Sequence, residues 1–302
     1  MNPYPVDYHI HYYLDSCAGP DMTCENIGKE AGKLGLKEIG IVKHCSETLP
    51  GGKDFVSWHL LREEDFQTFI REVRAFSETS SIPVYAGVES ELVSEDGTIA
   101  VTGSHYEAID HIMLSVHYMP LMECIGYQPL IHPRAQRNSI ADDRSLTAEY
   151  DKWRGAASRA GAAAIIEGLV RGYMNAIRRN KKICACSHMY DGLLPIRDYD
   201  VPCDDLPESD LIAIFEPLMR LMAQEGVLWE LLPEKIVHPA ILRRADESGV
   251  RFIAATDAHS ITGGWGNLSD HWQAEDFLAG FGLHTGRMRE SISSGIRPVR
   301  ML

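Results

Sequence analysis

The sequence is that of an α/β protein whose expected architecture is a closed barrel of parallel strands. Three observations point there. Seven short apolar runs recur along the 302 residues, each closing on His, Glu or Asp. Helical patterns fill the intervals, as parallel strands with crossover helices require. The polar strand ends are spread over successive runs, which suits the catalytic face of a barrel, whereas an open doubly wound sheet gathers them at one switch point.

The first run is Pro5 to His9. Thr23 then caps a helix through Ile27, Ala31 and Leu34, stopped by Gly35. Glu38 to His44 is the second strand. Leu60 to Phe76 places Leu61, Phe66, Phe69, Ile70, Val73 and Phe76 on one helical face. Pro83 to Glu89 and His111 to His117 are strands three and four. A helix over Ala156 to Arg178 precedes strand five, Ile183 to His188. Helix Leu211 to Gln224, strand Val227 to Glu230, helix Pro239 to Ser248 with proline in its first turn, and strand Arg251 to Asp257 complete the series. Irregular stretches at about 118–145 and 189–210 follow His117 and His188, so they are candidate lids inserted in a single 1–302 domain.

Composition narrows the partners. Lys plus Arg number 29 against 43 Asp plus Glu, a formal charge of −14, which argues against nucleic acid or an anionic membrane. The seven cysteines are odd in number and lack framework spacing, with Cys184-x-Cys186 the only close pair, as in a reducing cytoplasm. The apolar stretch from Ala160 to Val170 is interrupted by Glu167 and falls short of a span of roughly 20 residues. A first strand beginning at Val6 leaves no room for a cleavable leader. The expectation is a soluble cytoplasmic protein.

Two triplets carry the chemistry, His9-x-His11 and Asp257-x-His259. On a strand, residues i and i+2 point to one face, so each triplet aims two metal-capable side chains together. With 13 His in 302 residues, roughly half a His-x-His pair arises by chance, so the pair matters only in context. Imidazole with carboxylate suits zinc, manganese or iron. Ions about 3.5 to 4 Å apart can share a hydroxide and stabilise both the attacking and leaving oxygens of an in-line displacement. A phosphate monoester is the natural substrate class for such a centre, and its positive charge would attract anions despite the acidic chain.

Asp7-Tyr8-His9-Ile10-His11, His44, Gly87-Val88-Glu89, Ser115-Val116-His117, Ser187-His188 and Thr256-Asp257-Ala258-His259 occur in an order that resembles the polymerase and histidinol phosphatase (PHP) superfamily, most closely its histidinol-phosphatase branch. The resemblance spans most of the chain. It implies a distorted seven-stranded (β/α)7 TIM-like barrel, the PHP fold, binding two or three divalent ions. It also implies ligand sets: His9, His11, Glu89 and Asp257 for one ion, Glu89 bridging to a second with His117 and His188, and His44 with His259 for a third. Glu89, Asp257 and His188 would act as catalytic residues through the metal centre, with no separate general acid assigned. Many relatives complete the third site with a His eight residues after the first motif His; here that position is Cys17. A Cys17 thiolate suits a zinc-like ion, and Asp15 a harder one.

The expected activity is hydrolysis of a small phosphorylated metabolite by a metal-bridging hydroxide, with histidinol phosphate as one substrate. Phosphodiester or nucleotide hydrolysis is the second reading, and a catalytically silent metal-binding regulatory module the third. Arg134, Arg137, Arg171 and Arg197 are candidate phosphate forks. Glu230 is a candidate for a substrate amine or for a bond to a metal-bound His. Asp198, Asp200, Asp204, Asp205 and Glu208 in the second lid would suit a cationic substrate. His59, His105, His111, His132, His238, His271 and His284 match no motif position, and Trp229 and Trp265 read as packing.

Overall fold

In a computed structural model, the described residues are 4–45, 62–117, 119–126, 144–189, 206–233, 238–264 and 266–288, with backbone alone for 144–150. Among them run strands β1 (Val6–His11), β2 (Glu38–Cys45), β3 (Val84–Glu91), β4 (His111–Ser115), β5 (Ile183–Cys186), β6 (Leu228–Leu231) and β7 (Phe252–Ala254). They form one sheet in sequence order, every adjacent pair parallel. Just past β7 the ring is drawn toward closure: His11 N–H donates to Ala258 O at 2.8 Å and Ala258 N–H to His9 O at 3.1 Å. The result is a nearly closed seven-stranded barrel.

Helices α1 (Cys24–Leu34), α2 (Glu63–Thr79), α3 (Gly103–Ala108), α4 (Arg144–Ala160), α5 (Ala162–Arg179), α6 (Glu208–Glu225), α7 (Pro239–Glu247) and α8 (His271–Phe281) accompany the strands. Thr23 Oγ1 accepts from Asn26 N–H and Gly35 ends α1 in the left-handed region, as the sequence signals require. On α2 the residues Phe66, Phe69 and Val73 are buried, each contributing about 1.5–3 kcal/mol of apolar burial. The helix expected over 156–178 is two helices. Gly161, at φ 81°, takes a conformation a helix cannot continue through, and α4 turns into α5 there.

Alternation along the strands sorts side chains into two clusters. Ile10, Ile39, Ile41, Val84, Ala86, Val88, Ile112 and Leu114 belong to the large core shared with the helices. Val6, Tyr8, Val42, Tyr85, Met113, Leu228 and Ile253 form a second cluster inside the barrel. His44, Glu89, Ser115 and Glu230 share the parity of this inner set. On β1 that parity is shifted by a bulge: Asp7 and Ile10 pair with Ile39 and Ile41, three residues of β1 against two of β2. The bulge lets Tyr8 and then His9 and His11 all face inward.

Beneath the donors, His111 fills the barrel floor. Its ring occupies the space that a Cβ on Gly87 or Gly40 would enter, at 2.2 and 2.7 Å from ring atoms. Its Nε2–H donates to Tyr8 O at 3.1 Å, and burial pushes its pKa down to about 4. None of the helices among the described residues is long and apolar enough to cross a membrane. Most of the two candidate lids, 127–143 and 190–205 in particular, lies outside the described residues.

Candidate metal centre

Donor atoms from six strand ends converge on one buried volume. His9 Nε2 and His11 Nε2 lie 3.2 Å apart. Each is 3.3 Å from Glu89 Oε2, and they are 3.3 and 3.1 Å from Asp257 Oδ1. Ligands at about 2.0–2.1 Å from a tetrahedral zinc stand about 3.3–3.4 Å from one another. The observed spacing therefore matches the edge of such a coordination shell.

The tautomers point the same way. His9 Nδ1 is 2.8 Å from a Glu230 oxygen, and His11 Nδ1 is 2.9 Å from an Asp15 oxygen. A carboxylate there calls for the ring proton on Nδ1, which places the lone pair on Nε2. Two imidazole lone pairs and two carboxylate oxygens then face one another, an arrangement that repels itself until protons or a cation come between them. Glu89 Oε2 is buried without a hydrogen bond although three imidazole nitrogens, those of His9, His11 and His44, lie 3.0–3.3 Å away. These residues fit a divalent-metal centre.

Glu89 turns its other oxygen to a second set. Its Oε1 is 2.9 Å from His188 Nε2, 3.3 Å from His117 Nε2, and accepts from Ser115 Oγ at 2.7 Å. One carboxylate facing two donor groups is the geometry a bridging ligand needs. Around a third position, donors of His11, Cys17, His44 and His259 lie within 4.8 Å of one another. Of the residues singled out by motif, His9, His11, His44, Glu89, His117, His188, Asp257, His259 and Cys17 are thus brought together.

Strand ends alone do not deliver all of them. His117 and His188 lie beyond β4 and β5, and Asp257 lies three residues past β7, although the sequence runs suggested strands reaching each. His188 and Asp257 have φ of 29° and 46°, a left-handed backbone that leaves the ladder. Such strain at non-glycine residues is typical of positions held for a purpose. Asp7 steadies this corner, its carboxylate accepting from His9 N–H at 3.0 Å and from Thr256 Oγ1 at 2.8 Å.

Two sequence candidates take other roles, and the reading of a third is narrowed. Asp15 is not a donor to the third position: its carboxylate holds His11 Nδ1, Lys43 Nζ at 2.7 Å and His44 N–H at 3.0 Å. Of the two readings of Glu230, the bond to a ring of the metal centre is the one the geometry supports: fully buried, it spans His9 Nδ1 and the His188 N–H, the latter at 2.9 Å. Arg171 is exposed on α5 and pairs with Glu95 at 2.6 Å, not with the donors. Arg134, Arg137 and Arg197, with Asp198, Asp200, Asp204, Asp205, His59, His132 and Trp265, lie outside the described residues. Glu208 opens α6, exposed. Trp229 is buried and stacks on Phe252.

The sequence reading missed Glu91. It binds His117 Nδ1 at 2.5 Å and His117 N–H at 2.9 Å, fixing that ring as Glu230 fixes His9. Its position two residues after Glu89, on the same strand face, was the available signal. Lys43 was missed because its role is to neutralise Asp15 across the β1–α1 loop.

The electrostatics of the cluster favour positive charge at the rings. Burial opposes charging His9 and His11, but the carboxylates of Glu230, Asp257 and Glu89 for the first, and Asp15, Asp257 and Glu89 for the second, outweigh it and hold both pKa values well above normal. Burial likewise opposes charge on His117, yet Glu91 and Glu89 raise it to about 9. For Glu89 the desolvation is overcome by His117, His44 and His9, which hold the carboxyl well below its usual range. His259 goes the other way, to about 4, through burial and the charge of His11. A field that draws protons onto so many rings also draws divalent cations.

No protein-family model and no curated protein matches the sequence. Solved structures match in fold. The "putative histidinol phosphatase hisK from Listeria monocytogenes" aligns over 84% of this chain and 95% of its own, with a TM-score of 0.55 and 16% identity. Histidinol phosphate phosphatase from Lactococcus lactis subsp. lactis, solved with zinc, L-histidinol and phosphate, aligns over 95% of this chain and 97% of its own, with a TM-score of 0.54 and 14% identity. The chain has the histidinol-phosphatase fold. That likeness extends over nearly the whole of both neighbours, so the barrel described above is their barrel with a different sequence.

Proposed function

We propose that this chain is a metal-dependent phosphoric monoester hydrolase acting on a small phosphorylated metabolite, histidinol phosphate being the first candidate. The observation that carries the reading is the Glu89 carboxylate, whose two oxygens face two separate sets of imidazoles. Divalent ions held there would supply a water of lowered pKa as nucleophile and neutralise the phosphoryl oxygens. His9, His11, Glu89 and Asp257 would hold one ion, and Glu89, His117 and His188 another. Glu230, Asp15 and Glu91 orient the rings by their Nδ1 atoms, and Ser115 fixes the Glu89 side chain. Burial of nearly every donor keeps bulk water from competing with the phosphoryl group, and it strengthens each electrostatic contact.

Two further considerations support a small anionic ester. The Lactococcus lactis neighbour was solved with phosphate and L-histidinol. A net charge of −14 makes a polyanionic substrate a poor match, because it confines attraction for anions to the metal centre itself. Arg134, Arg137 and Arg197 are the proposed phosphate forks, testable as alanine variants that raise KM.

The test is a substrate panel on manganese- or zinc-loaded protein: histidinol phosphate, an aryl phosphate, other small monoesters and a dinucleotide. Phosphate release from monoesters is expected, and its loss in His9→Ala and Glu89→Ala variants that retain the native fold. Cleavage of the dinucleotide alone would make the protein a phosphodiesterase. Metal binding without turnover of any ester would make it a binding module.

A further inference from the structure

We propose that the third metal position is a thiolate site, built from Cys17 with His44 and His259, and that it selects thiophilic ions over magnesium and manganese. This deepens the metal-centre reading and rests on it.

The donor groups allot themselves. His11 belongs by distance to the group around Asp257, with Nδ1 on Asp15 and Nε2 toward His9, Glu89 and Asp257. Cys17 Sγ, His44 and His259 are then the donors that distinguish the third group, all within 4.8 Å of one another. His259 Nδ1–H donates to Asp257 O at 2.7 Å, so its ring lone pair is on Nε2. Asp15, the oxygen donor two residues from Cys17, is held by Lys43 and by the His44 amide, which keeps it from replacing the thiol. Beside the group lies Glu89 Oε2, fully buried, without a hydrogen bond and 3.0 Å from His44 Nδ1. The same oxygen faces His9 and His11, so a cation beside His44 would share it with the group already described.

The loop that carries Cys17 is fixed. Asp15 N–H donates to Tyr12 O at 2.8 Å, Ala18 N–H to Asp15 O at 3.1 Å, and Gly19 N–H to His259 O at 2.7 Å. Cys17 is thereby delivered to the His259 segment by backbone bonds on either side of it. Two imidazoles and one thiolate, with further positions open, are a donor set for zinc, cobalt or cadmium; magnesium prefers oxygen ligands and manganese takes sulfur poorly. On binding, the thiol loses its proton to solvent, so this position becomes weaker as the pH falls.

Full-length protein stripped by chelation and reloaded with cobalt(II) provides the readout, independent of activity. Expected in the wild type is a near-ultraviolet sulfur-to-cobalt charge-transfer band. Cys17→Ser should lose the band and one equivalent of metal. Cys17→His should lose the band yet keep the full cobalt count. As a measure that needs no variant, zinc-loaded wild type should resist alkylation at Cys17 while manganese-loaded protein is alkylated. Cobalt at full occupancy without the band, a band that persists in Cys17→Ser, or alkylation that is equally fast with both ions would overturn the proposal. A band in protein that hydrolyses no ester would sustain the thiolate site and remove the hydrolase reading; ester hydrolysis without the band would do the reverse.

Discussion

Replacing Glu230 by glutamine tests whether the buried carboxylate sets the tautomer of His9. The side chain spans two groups, His9 Nδ1 at 2.8 Å and His188 N–H at 2.9 Å. A glutamine can accept at only one of them. If its oxygen takes the His188 amide, its NH2 faces His9 Nδ1 and drives the ring proton to Nε2. That proton would then point at His11 Nε2, Glu89 Oε2 and Asp257 Oδ1, all within 3.3 Å, where the ion would sit. In the reverse orientation, the His188 amide loses its acceptor inside the protein, at a cost of about 1–3 kcal/mol, and the strained φ of 29° loses its anchor. Either way zinc affinity should fall about 10- to 100-fold, equivalent to about 1.4–2.7 kcal/mol. Competition against a fluorescent chelator measures this, and thermal melting in excess chelator separates it from a loss of fold stability. Affinity within twofold of wild type would show that the Nδ1 bond does not govern metal binding.

Other perturbations have equally definite outcomes. Gly87→Ala should destabilise by about 1–3 kcal/mol in urea titration, because its Cβ would lie 2.2 Å from the His111 ring, and a second substitution, His111→Ala, should recover part of the loss. His111 also sets a pH dependence. Its folded pKa of about 4 lies below the ordinary 6.5, so between those values the unfolded chain binds the extra proton. Its contribution is complete above pH 6.5 and is lost as pH falls through about 4, amounting to about 3 kcal/mol. Urea titrations of wild type against His111→Leu from pH 7 to 4 should converge by that amount; parallel curves would refute it. Lys43→Met takes the permanent cation from the buried Asp15 carboxylate, leaving it the His11 ring and the His44 N–H, and should cost up to about 3–5 kcal/mol, with a parallel fall in metal affinity through His11 and His44.

The barrel was legible because each strand is a short apolar run closed by a polar residue, and because those residues recur at successive strand ends. What the alternation could not give was the face. On β1, Tyr8 and Ile10 bracket His9, and a regular strand that turned Tyr8 inward would have turned both histidines out; the bulge against β2 resolves the conflict. The break at Gly161 was hidden by alanine-rich sequence that suits a helix on both sides. The donors were legible as motifs, and so was Glu230 as a partner for a metal-bound His, whereas Glu91 and Lys43 were not and Asp15 read as a ligand, since these three act through partners that only folding places beside them. Asp15 shows the limit most clearly: its type and spacing suit a ligand, and its neighbours Lys43 and His44 make it a support.

The central claim, that converging donors hold ions for ester hydrolysis, is tested most directly by counting metal and phosphate release in one sample. Histidinol phosphate would be assayed with protein whose metal content is measured by mass spectrometry before stripping, after stripping, and after reloading with zinc or manganese. Release should vanish with the metal and return with it, in proportion to occupancy. Release that continues in protein shown to be free of metal would contradict the account.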